Sequence, residues 1–135
     1  MAVFEWNESL SVGVAAMDNQ HKRLYALMNE LFMAMSQGKG QDILERVVGE
    51  LVNYARTHFA AEERLLAAHG YPGLAAQKAS HEDFTNRVAQ TAANLKQGRA
   101  VMTVSVSSFL RDWLTRHIQG SDKQYGPFLN AKGVV

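Results

Sequence analysis

The amino-acid sequence predicts an all-α protein, an up-down-up-down four-helix bundle with an extended N-terminal arm. Apolar residues recur in steps of three and four over four long segments, which is typical of amphipathic helices. No stretch of useful length alternates with the period of two that strands require. Because the connections between the segments are only about four to six residues long, neighbouring helices are expected to run antiparallel.

Each predicted helix has an apolar face and a terminating signal. The first helix is expected to begin with Asp18 as its N-cap, and the glycines of Gln37-Gly38-Lys39-Gly40 and Gly70-Tyr71-Pro72-Gly73 end the first two. The predicted bounds are about Asp18 to Ser36, Gln41 to Ala68, Leu74 to Lys96 and Met102 to Asn130. The apolar series are Leu24, Leu27, Met28, Leu31, Phe32 and Met35; Leu44, Val47, Val48, Leu51, Ala55, Leu65 and Leu66; Leu74, Phe84, Val88 and Leu95; and Val106, Phe109, Leu110 and Trp113.

The remaining N-terminal residues are expected to form the arm of a single domain that covers residues 1–135. We expect the arm to span residues 1–17 and the bundle to span residues 18–130. The arm has no partner strand, so it is expected to lie across the bundle as an extended cover. Its apolar residues are Phe4, Trp6, Leu10, Val12 and Val14, around Gly13.

Composition excludes several classes of protein. The 135 residues are enough to bury a core, and 14 basic against 13 acidic residues leave a net charge of +1, which does not favour nucleic acid. The absence of cysteine excludes disulfides, thiolate metal sites and iron–sulfur clusters. No apolar stretch is long enough to span a membrane, and the N-terminus does not resemble a secretory signal. We expect a monomeric, cytoplasmic protein.

Ionisable side chains occupy the inward faces of all four predicted helices. His21 lies 15 residues before Ser36, whereas His58 lies 17 residues after Gln41, so the two reach a similar depth in the bundle. The other ionisable residues have similar offsets from their helix ends. At a helix rise of about 1.5 Å per residue, these offsets place them at the same level. A buried cluster of this kind is costly unless something compensates it, and a pair of metal ions would do so. We therefore predict a non-haem di-iron site from His21, His58, Glu62, His81, His117 and Asp122.

The spacing of these residues supports a shared site, although each has an alternative role. A single histidine on an apolar face is more often a hydrogen-bonded core residue than a ligand. His58 and Glu62 are four residues apart, so they lie on one helix face. His117 and Asp122 are five apart, which corresponds to about 140° of rotation and fits one face poorly. We therefore expect a π-type widening of the helix, which Gly120 would allow.

Five separated motifs resemble the hemerythrin family in its bacterial single-domain form. The resemblance runs from Phe4-Glu5-Trp6 to Tyr125-Gly126-Pro127. Its motifs are Asp18-Asn19-Gln20-His21; His58-Phe59-Ala60-Ala61-Glu62; Gly70-Tyr71-Pro72 with Ser80-His81; Trp113-Leu114-Thr115-Arg116-His117-Ile118; and Asp122 with Tyr125. The resemblance implies two iron ions bridged by Glu62, Asp122 and an oxo or hydroxo group. It assigns His21 and His58 to the iron that is open to dioxygen, His81 and His117 to the other iron, and Trp113, Leu114 and Ile118 to the oxygen pocket.

One position departs from the family pattern. The family places a third histidine of the second iron four residues before His81, where this chain has Gln77. Gln77 still shares a helix face with His81, but an amide oxygen is a weaker donor than an imidazole. The amide oxygen could bind the metal, water could fill the position, or the second iron could be lost. His69 is too far along its helix to substitute, and Tyr54 is expected to pack in the core.

The resemblance implies reversible dioxygen binding for transport, storage or delivery, and not an enzyme. Two alternatives remain open at this point. A weakened second iron site favours peroxidase or oxidase activity, but no proton-delivering acid stands out beside the bridging carboxylates. An oxygen-sensing or redox-sensing module that acts on a protein partner is the other alternative. Iron storage of the ferritin type is disfavoured, because the Glu-x-x-His pairs of that class are missing.

Overall fold

The structure is a computed structural model that describes residues 5–38, 41–97 and 104–135, with side chains except at 41 and 104–107. All regular elements of these residues are helical. A single 3-10 turn, Glu8–Leu10, precedes the bundle. The bundle consists of α1 (Ala15–Ser36), α2 (Gln41–Ala68), α3 (Leu74–Lys96), α4 (Val104–His117), a π-helical segment (Ile118–Asp122) and α5 (Lys123–Ala131). The predicted start of the fourth helix at Met102, the side chain of Val106, and Phe4, Lys39 and Gly40 lie outside the described residues.

The helices form the predicted up-down-up-down bundle. α2 packs against both α1 and α3, and α1 packs against α4, as expected for short connections between antiparallel neighbours. α4, the π-helical segment and α5 follow one another without a break and together form the fourth rod. Apolar side chains from all four rods and from the arm fill one core. Its largest fully buried apolar side chains are Leu24, Leu27, Met28, Leu31, Leu51, Leu66, Phe84, Leu114, Ile118, Tyr125 and Leu129.

The first helix begins three residues earlier than predicted, and the N-cap prediction was wrong. α1 begins at Ala15, and Val14 is its N-cap without a side-chain hydrogen bond. The Asp18 carboxylate instead accepts hydrogen bonds from the Val12 N–H, at 2.8 Å, and from the Ser11 hydroxyl, at 2.6 Å. Asp18 therefore ties the arm to the first helical turn, where its negative charge also suits the positive helix N-terminus.

The described part of the arm, residues 5–14, covers the bundle as predicted. It includes the 3-10 turn Glu8–Leu10 and ends at Val14, because residues 15–17 belong to α1. Leu10, Val12 and Val14 are buried in the core. The Asn130 amide at the end of α5 donates a hydrogen bond to the Gly13 carbonyl at 2.9 Å. Gly126 of α5 lies so close to the Val12 carbonyl that a Cβ atom there would overlap with it. The arm is thus held by backbone contacts as well as by apolar burial.

The fourth rod widens where the spacing of His117 and Asp122 predicts it. Residues Ile118–Asp122 form a π-helical turn, and the Lys123 N–H donates to the Ile118 carbonyl five residues earlier. One extra residue in this turn brings both His117 and Asp122 into the interior, where they are 6% and 1% exposed.

Within the described residues, no helix is both long enough and apolar enough to cross a membrane.

Replacing Gly126 with Ala should destabilise the protein by about 1–3 kcal/mol, because the added methyl group forces the arm away from α5. Gly49→Ala is the matched control, since a Cβ atom at this α2 position meets nothing within 4 Å. That control should raise the free energy of unfolding by up to about 1 kcal/mol through helix propensity. Urea unfolding of both variants measures these changes, and a stabilised Gly126→Ala protein would contradict the close contact.

Candidate metal centre

All six side chains that the sequence places on inward helix faces meet inside the bundle. α1 contributes one, α2 two and α3 one, and the fourth rod contributes two at its π-helical turn. Each is buried, and none exposes more than 6% of its surface. These residues are His21, His58, Glu62, His81, His117 and Asp122. Four separate rods therefore deliver imidazoles and carboxylates to one level.

The first group of potential ligands comprises His21, His58 and Glu62, whose ligand atoms lie within 4.8 Å of one another. Glu62 Oε2 lies 3.4 Å from His58 Nε2 and 3.5 Å from His21 Nε2. The four-residue spacing on α2 brings His58 and Glu62 together, as the sequence indicates.

The second group comprises Glu62, His81, His117 and Asp122, and its ligand atoms are equally close together. His81 Nε2 lies 3.0 Å from Glu62 Oε1, and His117 Nε2 lies 3.1 Å from Asp122 Oδ1. The two Nε2 atoms are themselves only 3.0 Å apart. Both imidazoles therefore point their Nε2 atoms at one location.

The two carboxylates are shared between the groups. Glu62 turns Oε2 toward His21 and His58 and Oε1 toward His81. Asp122 turns Oδ1 toward His117 and Oδ2 toward His21, at 3.3 Å. Each carboxylate thus presents one oxygen atom to each group, which is the arrangement that two bridged cations require.

Three of the imidazoles are oriented by polar partners on their outer nitrogen atoms, which the sequence analysis missed. His58 Nδ1 donates to Gln20 Oε1 at 2.6 Å, and His81 Nδ1 donates to Glu63 Oε2 at 2.9 Å. His117 Nδ1 lies 3.2 Å from Ser80 Oγ. Such partners fix the ring and direct the other nitrogen inward. Gln20, Glu63 and Ser80 each adjoin a predicted ligand in the chain, which is the signal that could have found them.

Several buried polar atoms in the site have no hydrogen-bond partner among the described residues. An orphaned buried atom of this kind costs about 1–3 kcal/mol. When His81 Nδ1 keeps the proton, the neutral ring has only a lone pair to present to Glu62 Oε1, and a cation between the two atoms removes that repulsion. The orphaned atoms are both ring nitrogens of His21, Glu62 Oε1, Gln77 Oε1 and Asp122 Oδ2. These side chains could therefore hold a metal, and their nitrogen and oxygen donors suit a transition-metal ion.

Protons and a cation compete for the same atoms. Burial alone would lower the pKa of His21, but the adjacent Asp122 and Glu62 carboxylates raise it to about 9. Burial alone would raise the pKa of Glu62, but the adjacent His21 and His58 imidazoles hold that pKa well below its usual range. Metal binding at this cluster must therefore displace protons from imidazoles.

Gln77 faces the site, as its spacing from His81 predicts. Its side chain is buried, and Nε2 donates to Asp122 Oδ1 at 3.0 Å. Its carbonyl oxygen, Oε1, has no partner. The two other side chains considered as substitutes lie elsewhere. His69 Nδ1 bonds to the Leu65 carbonyl at 3.0 Å, and Tyr54 lines a surface pocket beside Arg23.

Apolar and aromatic side chains enclose the cluster. Trp113 stacks on His117 with ring centroids 4.7 Å apart, and Leu114 and Ile118 are fully buried. Phe59 stacks on His81 with ring centroids 4.0 Å apart, a role that its place in the sequence does not indicate. The buried Tyr125 hydroxyl, whose role was likewise not predicted, donates to Glu62 Oε2 at 2.7 Å. These contacts leave little room for the ligand side chains to turn away.

A surface cleft of about 650 Å³ lies outside this wall, between α3 and α4. Trp113 and His117 form part of its lining, together with Ser80, Phe109 and Arg116. His117 is the most exposed of the six potential ligands, so this cleft marks the thinnest cover over the cluster.

The sequence model described as "Hemerythrin HHE cation binding domain" matches residues 12–129, which is most of the chain. The chain belongs to the hemerythrin family. It is 34% identical over 131 residues to a bacteriohemerythrin of Stenotrophomonas maltophilia, covering 97% of this chain and 84% of that protein. A bacteriohemerythrin of Methylococcus capsulatus is 32% identical, with 97% and 100% covered. A crystal structure of wild-type hemerythrin superposes with a TM-score of 0.89 at 30% identity, covering 93% of this chain and 97% of that one.

Replacing Tyr125 with Phe should lower the stability of the metal-free protein by about 1–3 kcal/mol, because Glu62 Oε2 loses a buried donor. Tyr71→Phe is the matched control, since the Tyr71 hydroxyl makes no hydrogen bond to any described residue. Thermal unfolding in the presence of a chelator measures both changes. Equal losses in the two variants would show that the hydroxyl contact with Glu62 contributes nothing.

Proposed function

We propose that the cluster holds two iron ions and that the protein binds dioxygen reversibly. His21 and His58 would hold one iron, His81 and His117 would hold the other, and Glu62 and Asp122 would be shared between the two. The observation that carries this proposal is that each carboxylate turns one oxygen atom toward each pair of histidines. Two sets of ligands that share their carboxylates fit two neighbouring cations better than one.

Iron is favoured by the donor types and by the relatives. Imidazole and carboxylate ligands without sulfur suit ferrous and ferric ions, and the similar bacterial proteins bear the name bacteriohemerythrin. When bound, a pair of ferrous ions supplies two electrons that dioxygen can take up and return. An oxo or hydroxo bridge completes the proposed cofactor.

The side chains around the cluster suit a binding function because they exclude water and hold the ligands still. Trp113, Leu114 and Ile118 form an apolar wall on the fourth rod, where a small apolar molecule such as dioxygen could lodge. Tyr125 keeps its proton, because burial and the nearby carboxylates raise its pKa, so its hydroxyl remains a donor to Glu62. A water-excluding site with fixed ligands favours reversible binding over irreversible oxidation.

Gln77 makes the second iron position weaker than it is in family members that have histidine here. The His81 and His117 side has two imidazoles and no third, because the side chain at 77 turns its amide nitrogen toward Asp122. An amide oxygen is a weaker donor to iron than the imidazole that the family has at this position. We therefore expect the second iron to be held less firmly.

Anaerobic loading with ferrous iron tests the proposal. The chain should bind two iron ions, and its optical spectrum should change when oxygen is added and return when oxygen is removed. His58→Ala should bind fewer than two ions, whereas His69→Ala, a control on the same helix, should behave as the unaltered protein. Iron counts below two in the unaltered chain, or a spectrum indifferent to oxygen, would contradict the proposal.

Oxidation to the ferric form should be faster in this protein than in family members that have histidine at position 77. The Gln77→His substitution should slow this oxidation about tenfold, because an imidazole at position 77 would hold the second iron more firmly. Gln90→His, the same change at an exposed position of α3, serves as control. Following the decay of the oxygen-exposed spectrum measures the rate, and an unchanged rate in Gln77→His would contradict this role of Gln77.

Peroxidase-type activity is the second candidate function. The orphaned carbonyl oxygen of Gln77 favours it, because a less firmly held second iron is more open to other small molecules. Turnover with hydrogen peroxide and a reductant distinguishes this activity from simple binding.

The expected monomeric state, cytoplasmic location and single-domain extent over residues 1–135 stay predictions.

A further inference from the structure

We propose that the His81 and His117 side of the site has a second exogenous-ligand position, where Gln77 Oε1 accepts a hydrogen bond from the ligand. The ligand class is a small neutral molecule with an O–H to donate, of which water is the simplest member. This inference rests on the proposed two-metal site and concerns a position other than the one proposed for dioxygen.

The amide of Gln77 has one favoured orientation. Nε2 lies 3.0 Å from Asp122 Oδ1, at the distance of a good hydrogen bond. Turning the amide over would bring Oε1 against the same carboxylate oxygen, and two acceptors at that distance repel each other. The Asp122 carboxylate therefore fixes the amide nitrogen of Gln77 next to itself and keeps the carbonyl oxygen away from Asp122 Oδ1.

The carbonyl oxygen is left buried without a partner. Gln77 is only 3% exposed, and its Oε1 makes no hydrogen bond to any described residue. Buried carbonyl groups are nearly always paired, and an exception in the wall of a binding site indicates a partner that arrives with a ligand. A carbonyl oxygen can only accept, so that partner is either a hydrogen-bond donor or the metal ion itself. An amide oxygen is a weak donor to a metal, which favours a hydrogen-bond donor that the metal holds.

Counting donors leaves room for such a ligand. His81 and His117 provide two imidazoles, and Glu62 and Asp122 add one oxygen atom each. His21 and His58 have the same complement on the other side. With the proposed oxo or hydroxo bridge, each metal would have five donors, so an octahedral ion would keep one open position on each side of the pair. Gln77 approaches from the same face of α3 as His81, one turn earlier, and therefore borders the position on the His81 side.

The carbonyl acceptor also determines which ligands are favoured. Water, methanol and hydrogen peroxide carry an O–H that Oε1 can accept. Azide has no proton to donate, so the same position gives it no hydrogen bond from this oxygen. The residue at position 77 therefore favours ligands that can donate a hydrogen bond, and not simply ligands that are small.

Manganese(II)-loaded protein tests the inference, with water as the probe. Metal per chain is counted first, and the relaxation rate of bulk water protons then reports exchangeable water on the metal. Gln77→His should keep two ions and give a lower relaxation rate per ion, because its imidazole fills the position. Gln77→Leu should bind the second ion about tenfold more weakly, because Asp122 loses its donor and the water loses its acceptor. Gln90→Leu, at an exposed glutamine of α3, should change neither quantity.

Each outcome separates the two proposals. Two ions per chain with equal water relaxation in the unaltered protein and in Gln77→His would overturn this inference alone. Unchanged metal affinity and unchanged relaxation in a folded Gln77→Leu protein would also overturn it. Fewer than two ions in the unaltered chain would overturn the proposed function, and this inference with it.

Discussion

The rest of the structure depends on one constraint, the burial of imidazoles and carboxylates where water cannot reach them. Six ionisable side chains with almost no exposure would be costly in a core unless their charges and lone pairs are compensated. They compensate one another only in part, because His21, Glu62 and Asp122 retain polar atoms without hydrogen bonds. Two bridged cations would satisfy these atoms together, which is why the cluster is best understood as a metal site.

The architecture serves this constraint at several levels. Antiparallel rods allow one or two inward residues per rod to reach a common depth, and the π-helical turn adds the residue that lets His117 and Asp122 face inward together. Aromatic rings stacked on His81 and His117 limit their movement, and polar partners outside the cluster fix three imidazoles. Preorganised ligand side chains lose little conformational freedom when a metal binds, because folding has already fixed their positions.

The fold could be predicted because its determinants are local and periodic. Apolar faces and glycine stops defined the helices, and a spacing of five between His117 and Asp122 predicted the widened turn. Asp18 was misassigned because its partner, the Val12 N–H, is brought to it by the path of the arm and not by helix periodicity. The outer partners of the imidazoles each adjoin a predicted ligand in the chain, but which imidazole each one contacts depends on packing between helices. These partners are Gln20, Glu63 and Ser80.

The most direct test of a shared, two-cation centre is anomalous diffraction at the iron absorption edge from crystals of the iron-loaded protein. Two peaks are expected within the bundle, one beside His21 and His58 and one beside His81 and His117, with both carboxylates between them. A single peak, no peak, or imidazoles that hydrogen-bond only to carboxylates would contradict the account.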